Sequence, residues 1–100
     1  MANFKNKKIL VLGFSTTGIA AAKYLAKMGA DVYLSEIKPK KEQDTKELEA
    51  LGVKLEFGNH SEEFINNAAF AVLSPSIPQN SEIIQKLQAK NIEFISDIEL

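Results

Sequence analysis

Three stretches of this chain, YLAKMGADVYL, ELEALGVKLEF and KLQAKNIEFI, share one grammar: a helix-forming segment runs into Gly29, Gly52 or Asn91 and then into alternating β-type residues. Glycine and, next to it, asparagine adopt a left-handed backbone at low cost. Each stretch therefore reads as a helix closed by a left-handed C-terminal cap and followed at once by a strand. Adding the apolar runs KKILVL near the start and AAFAVL over Ala68–Leu73 gives five short strands, separated by four helical segments near residues 17–28, 43–51, 61–66 and 80–90. Strict alternation of strand and helix implies right-handed crossovers, and hence the α/β class: a Rossmann-like three-layer domain with a five-stranded parallel sheet covered on both faces. The helix starts agree. Ser61 precedes Glu62 and Glu63, and Asn80 precedes Glu82, so each candidate N-cap is followed by a carboxylate suited to the positive end of a helix. No low-complexity linker interrupts the chain, and 100 residues that are 45% hydrophobic can bury one core. The expectation is one domain over residues 1–100.

At the end of the first strand, Gly13-Phe14-Ser15-Thr16-Thr17-Gly18 turns into a helix. Backbone N–H groups at such a start are unpaired and suit phosphate oxygens. Helical spacing puts Gly18, Ala21, Ala22, Leu25 and Met28 on one face, with small residues nearest the turn, so that the helix can approach the sheet closely. Gly18 occupies the place of the third glycine in the dinucleotide fingerprint G-x-G-x-x-G. Ser15 stands where the second glycine would be; its Cβ fills space that a dinucleotide pyrophosphate needs, while its hydroxyl, with those of Thr16 and Thr17, can donate to phosphate. A tight connection capped by Thr16 or Thr17 accounts for the same residues without a ligand. Glu36 ends the second strand roughly 20 residues further on, where a carboxylate in such folds accepts hydrogen bonds from a nucleoside. Alone it is more commonly a solvated strand end; only its pairing with the glycine turn makes the site. Ser74-Pro75-Ser76-Ile77-Pro78 closes the fourth strand with a rigid turn at the same carboxyl edge, along which open α/β sheets bind ligands.

A net charge of −1 excludes recognition of nucleic acid through bulk charge. The absence of cysteine excludes a disulfide framework and thiolate metal sites and suits a reducing cytoplasm. The apolar run after Lys5, Lys7 and Lys8 stops at Gly13, too short for a signal peptide or a membrane span. The sequence thus predicts a cytoplasmic protein with neither nucleic-acid nor membrane partners. His60, the single histidine, stands before the N-cap Ser61 and reads as a loop or capping residue; with no second histidine or cysteine there is no protein-only metal constellation. Asp97 and Glu99 read as the exit of the last strand and the start of a hinge rather than a catalytic pair. No catalytic residue is expected.

Taken together, FKNKKILVLGFSTTG at the start, Glu36, GNH at Gly58–His60, LSPSIP where S-P-G-I-P is common, and SDIEL at Ser96–Leu100 resemble the N-terminal domain of the Mur ligase family over the whole chain. The resemblance implies a domain that holds the UDP part of UDP-N-acetylmuramoyl-L-alanine. By position, Ser15, Thr16, Thr17 and Gly18 would face the diphosphate and Glu36 the uridine, with Ile37 and Lys38 flanking the uracil and Ser74 and Ser76 nearby. Two residues depart from the family pattern: Ser76 replaces a glycine, and Glu36 stands where aspartate is common. The resemblance further implies an ATP-dependent amide ligase in peptidoglycan precursor synthesis. In it, ATP with Mg2+ phosphorylates the L-alanine carboxylate and the amine of D-glutamate attacks the acyl phosphate. The P-loop pattern G-x-x-x-x-G-K-[ST] does not occur here, so the central ATP-binding domain and the C-terminal domain are expected beyond residue 100, leaving these residues without catalytic competence of their own. The fold alone also permits an NAD-binding module of an oxidoreductase or regulatory protein, against which Ser15 counts, or an interaction domain whose glycine turn is purely structural.

Overall fold

The computed structural model describes residues 4–78 and 80–96. The elements alternate as the sequence predicts: β1 (Lys8–Leu12), α1 (Thr16–Lys27), β2 (Asp31–Glu36), α2 (Lys46–Ala50), β3 (Lys54–Phe57), α3 (Glu62–Ile65), β4 (Phe70–Leu73), α4 (Glu82–Ala89) and β5 (Phe94–Ser96). All four strand pairings are parallel, in the order β3-β2-β1-β4-β5. The order reverses direction between β1 and β4, which is where open α/β sheets form their binding crevice. Asp97 and Glu99 lie outside the described residues.

The period-two alternation of side chains sorts the core into two layers. Ile9, Val11, Val32, Leu34 and Val72 pack against Ala21, Ala22 and Leu25 of α1 and Leu48 of α2. Leu10, Leu12, Ala71 and Leu73 pack on the opposite face against Ile65 of α3 and Ile83, Ile84 and Leu87 of α4. The central strand is apolar on both faces, as a strand covered twice must be, and Ile9 to Leu12 are fully buried.

The repeated grammar is a repeated hydrogen-bond motif. Gly29, Gly52 and Asn91 have φ of 91°, 85° and 58°. In each case the next N–H reaches back to a leucine carbonyl: Ala30 to Leu25 at 3.1 Å, Val53 to Leu48 at 3.0 Å, Ile92 to Leu87 at 2.9 Å. This is the Schellman closure, and the three leucines are buried beneath it.

Three local expectations are corrected. Met28 is 45% exposed, because it is the C-cap of α1 and has left the helical face that buries Gly18, Ala21, Ala22 and Leu25. The second helix begins at Lys46 rather than residue 43: the Gln43 side chain accepts from the Lys41 N–H and the Asp44 carboxylate from the Lys46 N–H, so these residues close turns instead of joining the helix. The N-cap of α4 is Ser81, not Asn80, because the Ser81 N–H bonds the Pro78 carbonyl and holds the chain extended into the helix one residue later. Ser61 caps α3 as expected, accepting from the Phe64 N–H at 3.2 Å. Among the described residues no helix is long and apolar enough to cross a membrane.

Candidate functional site

The glycine turn is built by close approach. Gly13 has φ +109°, and a Cβ on it would lie 2.7 Å from the Cβ of Ser74. A Cβ on Gly18 would lie 2.4 Å from the Gly13 carbonyl oxygen, so the start of α1 sits directly on the turn it follows. Both positions require glycine for contact. Ser15 caps α1: its Oγ accepts from the Gly18 N–H at 3.0 Å and its carbonyl from the Ile19 N–H at 2.8 Å. The cap expected at Thr16 or Thr17 therefore belongs to Ser15, whose extended backbone at φ −115° and ψ 168° suits the position. The first turn carries no acidic residue. Among the described residues, no acceptor is bonded to the N–H groups of Ser15, Thr16 and Thr17, which leaves three donors at the positive end of the helix.

Glu36 has a role that its sequence position does not reveal. Its Oε1 accepts from the Phe14 N–H at 2.7 Å and its Oε2 from the Lys38 N–H at 2.8 Å. One carboxylate thus ties the glycine turn to the end of β2 and shapes its own loop. Each oxygen keeps a second lone pair for a ligand donor. At β4, Ser74 is buried and its Oγ lies 3.0 Å from Ser76 Oγ, so the two hydroxyls hold each other across the turn. The Ile77 N–H bonds the Ser74 carbonyl at 3.1 Å and closes that turn.

These pieces border one open cavity of about 870 Å³ along the carboxyl edge, within the range of small-molecule sites. Of the residues predicted from sequence, Ser15, Glu36, Ile37, Lys38, Ser74 and Ser76 line it. Thr16 and Thr17 are exposed on the first turn of α1 and Gly18 is buried beneath it; all three lie outside the lining. Lining residues that the sequence reading did not assign to the site include Gln43 before α2, Asn59 and His60 after β3, and Ser81, Ile83 and Lys86 of the α4 segment.

His60 does more than precede a cap. Its Nδ1 lies 2.7 Å from the Oγ of Ser35, a fully buried residue whose hydroxyl donates to Glu56 Oε2 at 2.6 Å. Glu56 Oε2 also accepts from the Ser61 N–H at 2.9 Å. Burial pushes the imidazole below the usual histidine value, against the opposite pull of Glu56 and Glu36. The sequence signal of this group is the serine inside the apolar strand DVYLSE, a polar residue in a position that must be satisfied by a partner.

Known proteins resemble this chain in sequence and in fold. Residues 7–96 match the family described as Mur ligase MurD-like, N-terminal domain. The chain is 42% identical over 98 residues to a UDP-N-acetylmuramoylalanine--D-glutamate ligase of Chloroherpeton thalassium, covering 96% of this chain and 21% of that protein. A pseudomurein peptide ligase type C from Methanothermus fervidus superposes with a TM-score of 0.79 at 31% identity, over 94% of this chain and 19% of that one. Shikimate dehydrogenase from Aquifex aeolicus, at 21% identity and a TM-score of 0.66 over 96% of this chain and 44% of that one, shares the fold alone. The chain spans about one fifth of the length of the ligase it matches.

Proposed function

Because the chain belongs to the MurD-like N-terminal domain family of the Mur ligases, we propose that it forms the nucleotide-gripping domain of an ATP-dependent amide ligase of peptidoglycan precursor synthesis, acting in the cytoplasm. The substrate it holds is UDP-N-acetylmuramoyl-L-alanine, bound by its UDP end, and the amino acid joined to it is D-glutamate. The observation that carries this reading is the juxtaposition of three unpaired N–H donors, at Ser15, Thr16 and Thr17, with Glu36 at the neighbouring strand end. The donors suit a diphosphate; Glu36 keeps acceptor capacity for the uridine beside it.

ATP and Mg2+ supply the carboxylate-activating chemistry in such a ligase. No stretch of these 100 residues has the P-loop pattern, so we assign their binding to the remainder of the ligase. The contribution of this domain is remote binding energy: holding the far end of the substrate restricts where its reactive carboxylate can lie. Ile37 and Lys38, exposed in the loop after β2, flank the base, and Ser74 and Ser76 border the opposite side.

Chemical-shift titration of the chain with UDP, UDP-N-acetylmuramoyl-L-alanine, ATP and NAD tests the reading. The two uridine ligands are expected to bind weakly and to shift the amides of Ser15 to Gly18 most, with ATP and NAD much weaker. NAD meets the Cβ of Ser15 where its pyrophosphate needs glycine. NAD bound as tightly as UDP and centred on the turn would replace this reading with that of an oxidoreductase module.

A further inference from the structure

His60, Ser35 and Glu56 form a hydrogen-bonded group set apart from the glycine turn. Register places Ser35 between Leu12 of β1 and Glu56 of β3, on the sheet face that packs against α3 and α4. A serine hydroxyl has one hydrogen. Its acceptors are Glu56 Oε2 at 2.6 Å and the Asn59 carbonyl at 3.2 Å. With that hydrogen committed, the 2.7 Å contact with His60 Nδ1 requires the ring to donate. The neutral imidazole therefore carries its proton on Nδ1, and Nε2 presents a lone pair. Among the described residues Nε2 has no partner, and His60 borders the cavity. The order of the group rules out nucleophilic work: the serine, not the imidazole, is the middle member, and it is fully buried.

Strand order fixes which part of a ligand His60 meets. The glycine turn follows β1; Glu36 ends β2 and His60 follows β3, on one side of it, while Ser74 and Ser76 follow β4 on the other. A diphosphate on the turn thus sends its nucleoside and its sugar to opposite sides. We propose that His60 is a specificity-determining residue whose Nε2, fixed as an acceptor by Ser35 and Glu56, takes a hydrogen bond from a donor on the nucleoside of the bound nucleotide. This assignment rests on the nucleotide reading above. The imide N–H of uracil and the ribose hydroxyls both supply such a donor.

The charged groups facing the ring are Glu56 of β3, Glu36 of β2 and Lys86 of α4. Burial and Lys86 favour the neutral ring, and the two glutamates oppose them. Protonation turns Nε2 into a donor that faces a donor. Affinity is therefore expected to be full at neutral pH and to fall on acidification below the ordinary histidine value of 6.5.

The test is calorimetric titration of the chain with UDP-N-acetylglucosamine between about pH 5 and 8. This probe is chosen because its diphosphate is esterified at both ends and does not titrate there. His60→Asn keeps an N–H for Ser35 but removes the outer acceptor, and should bind roughly tenfold more weakly at neutral pH with its fold intact. His60→Gln sets an amide oxygen near the position of Nε2 and cannot ionise, so it should retain more affinity than His60→Asn and lose the acid dependence. Disappearance of the His60→Asn penalty with the N3-methyluracil analogue assigns the donor to the imide, and with the 2′,3′-dideoxy analogue to the ribose. His60→Asn binding as tightly as the native chain, or a penalty undiminished with both analogues, overturns the assignment while leaving the nucleotide reading in place. Failure of the native chain to bind the probe overturns both.

Discussion

Gly18 is held to glycine by contact rather than by conformation. A Cβ there meets the Gly13 carbonyl at 2.4 Å, and that backbone oxygen cannot move without moving the turn. Gly18→Val is expected to cost about 1–3 kcal/mol of stability through overpacking and to abolish UDP binding, because the helix start and the donors it presents shift together. Urea unfolding and a UDP titration on the same variant check both; a stable variant that still binds would show that the contact is not tight. Glu36 invites a different test. Both carboxylate oxygens accept backbone N–H groups, and in Glu36→Gln an amide must turn its NH2 toward one of them. We expect a loss of about 1–3 kcal/mol in urea unfolding together with weaker UDP binding. Unchanged stability would mean that the carboxylate does not organise the turn.

At the level of elements, the three helix-to-strand junctions are variations on one closure, and they differ in what surrounds the left-handed residue. Gly52 has φ +85° with nothing within 4 Å of a Cβ built on it, so Gly52→Ala isolates the backbone term. The expected cost is about 1–2 kcal/mol, the penalty of a left-handed conformation for an L side chain, with no change in the fold. Asn91 already carries a side chain at φ 58°, and Asn91→Gly should leave stability equal or slightly higher. Denaturant midpoints for the pair decide whether the closures are set by local conformation. These junctions were legible because a cap is a short-range object: the residue, the helix behind it and the strand ahead lie within a few positions. The start of α2 was not, because Gln43 and Asp44 hydrogen-bond to nearby N–H groups in competition with the helix, and a helix-like composition does not reveal which geometry wins.

For the whole molecule, the pH dependence of stability tests the buried histidine. The value of His60 in the folded state lies below the 6.5 of the free group, chiefly through burial. Above 6.5 the ring is neutral in both states and its contribution to stability is fully present. As the pH falls below 6.5 the unfolded chain takes the proton first, and the contribution is lost as the pH descends through the folded-state value. The difference in unfolding free energy between the native chain and His60→Gln should therefore shift against the native chain on acidification, while carboxylate contributions common to both cancel. A constant difference across that window would show that the ring is not held neutral by the fold.

The sequence by itself determined the α/β alternation, the closures at Gly29, Gly52 and Asn91, the glycine turn at Gly13–Gly18 and the acidic strand end at Glu36. Each of these is written in local spacing, because propensity, capping and periodicity act over a few residues. What the tertiary structure decided is how those pieces meet. Phe14 and Glu36 are 22 positions apart, and Ser35 and His60 are 25 apart; only parallel pairing of β1 with β2 and of β2 with β3 brings each pair together. Hydrogen bonds across such separations depend on strand order and register, which no single segment encodes, and for that reason the turn, Glu36 and His60 were each visible in the sequence while the bond that ties Glu36 to the turn and the one that ties His60 to Ser35 were not.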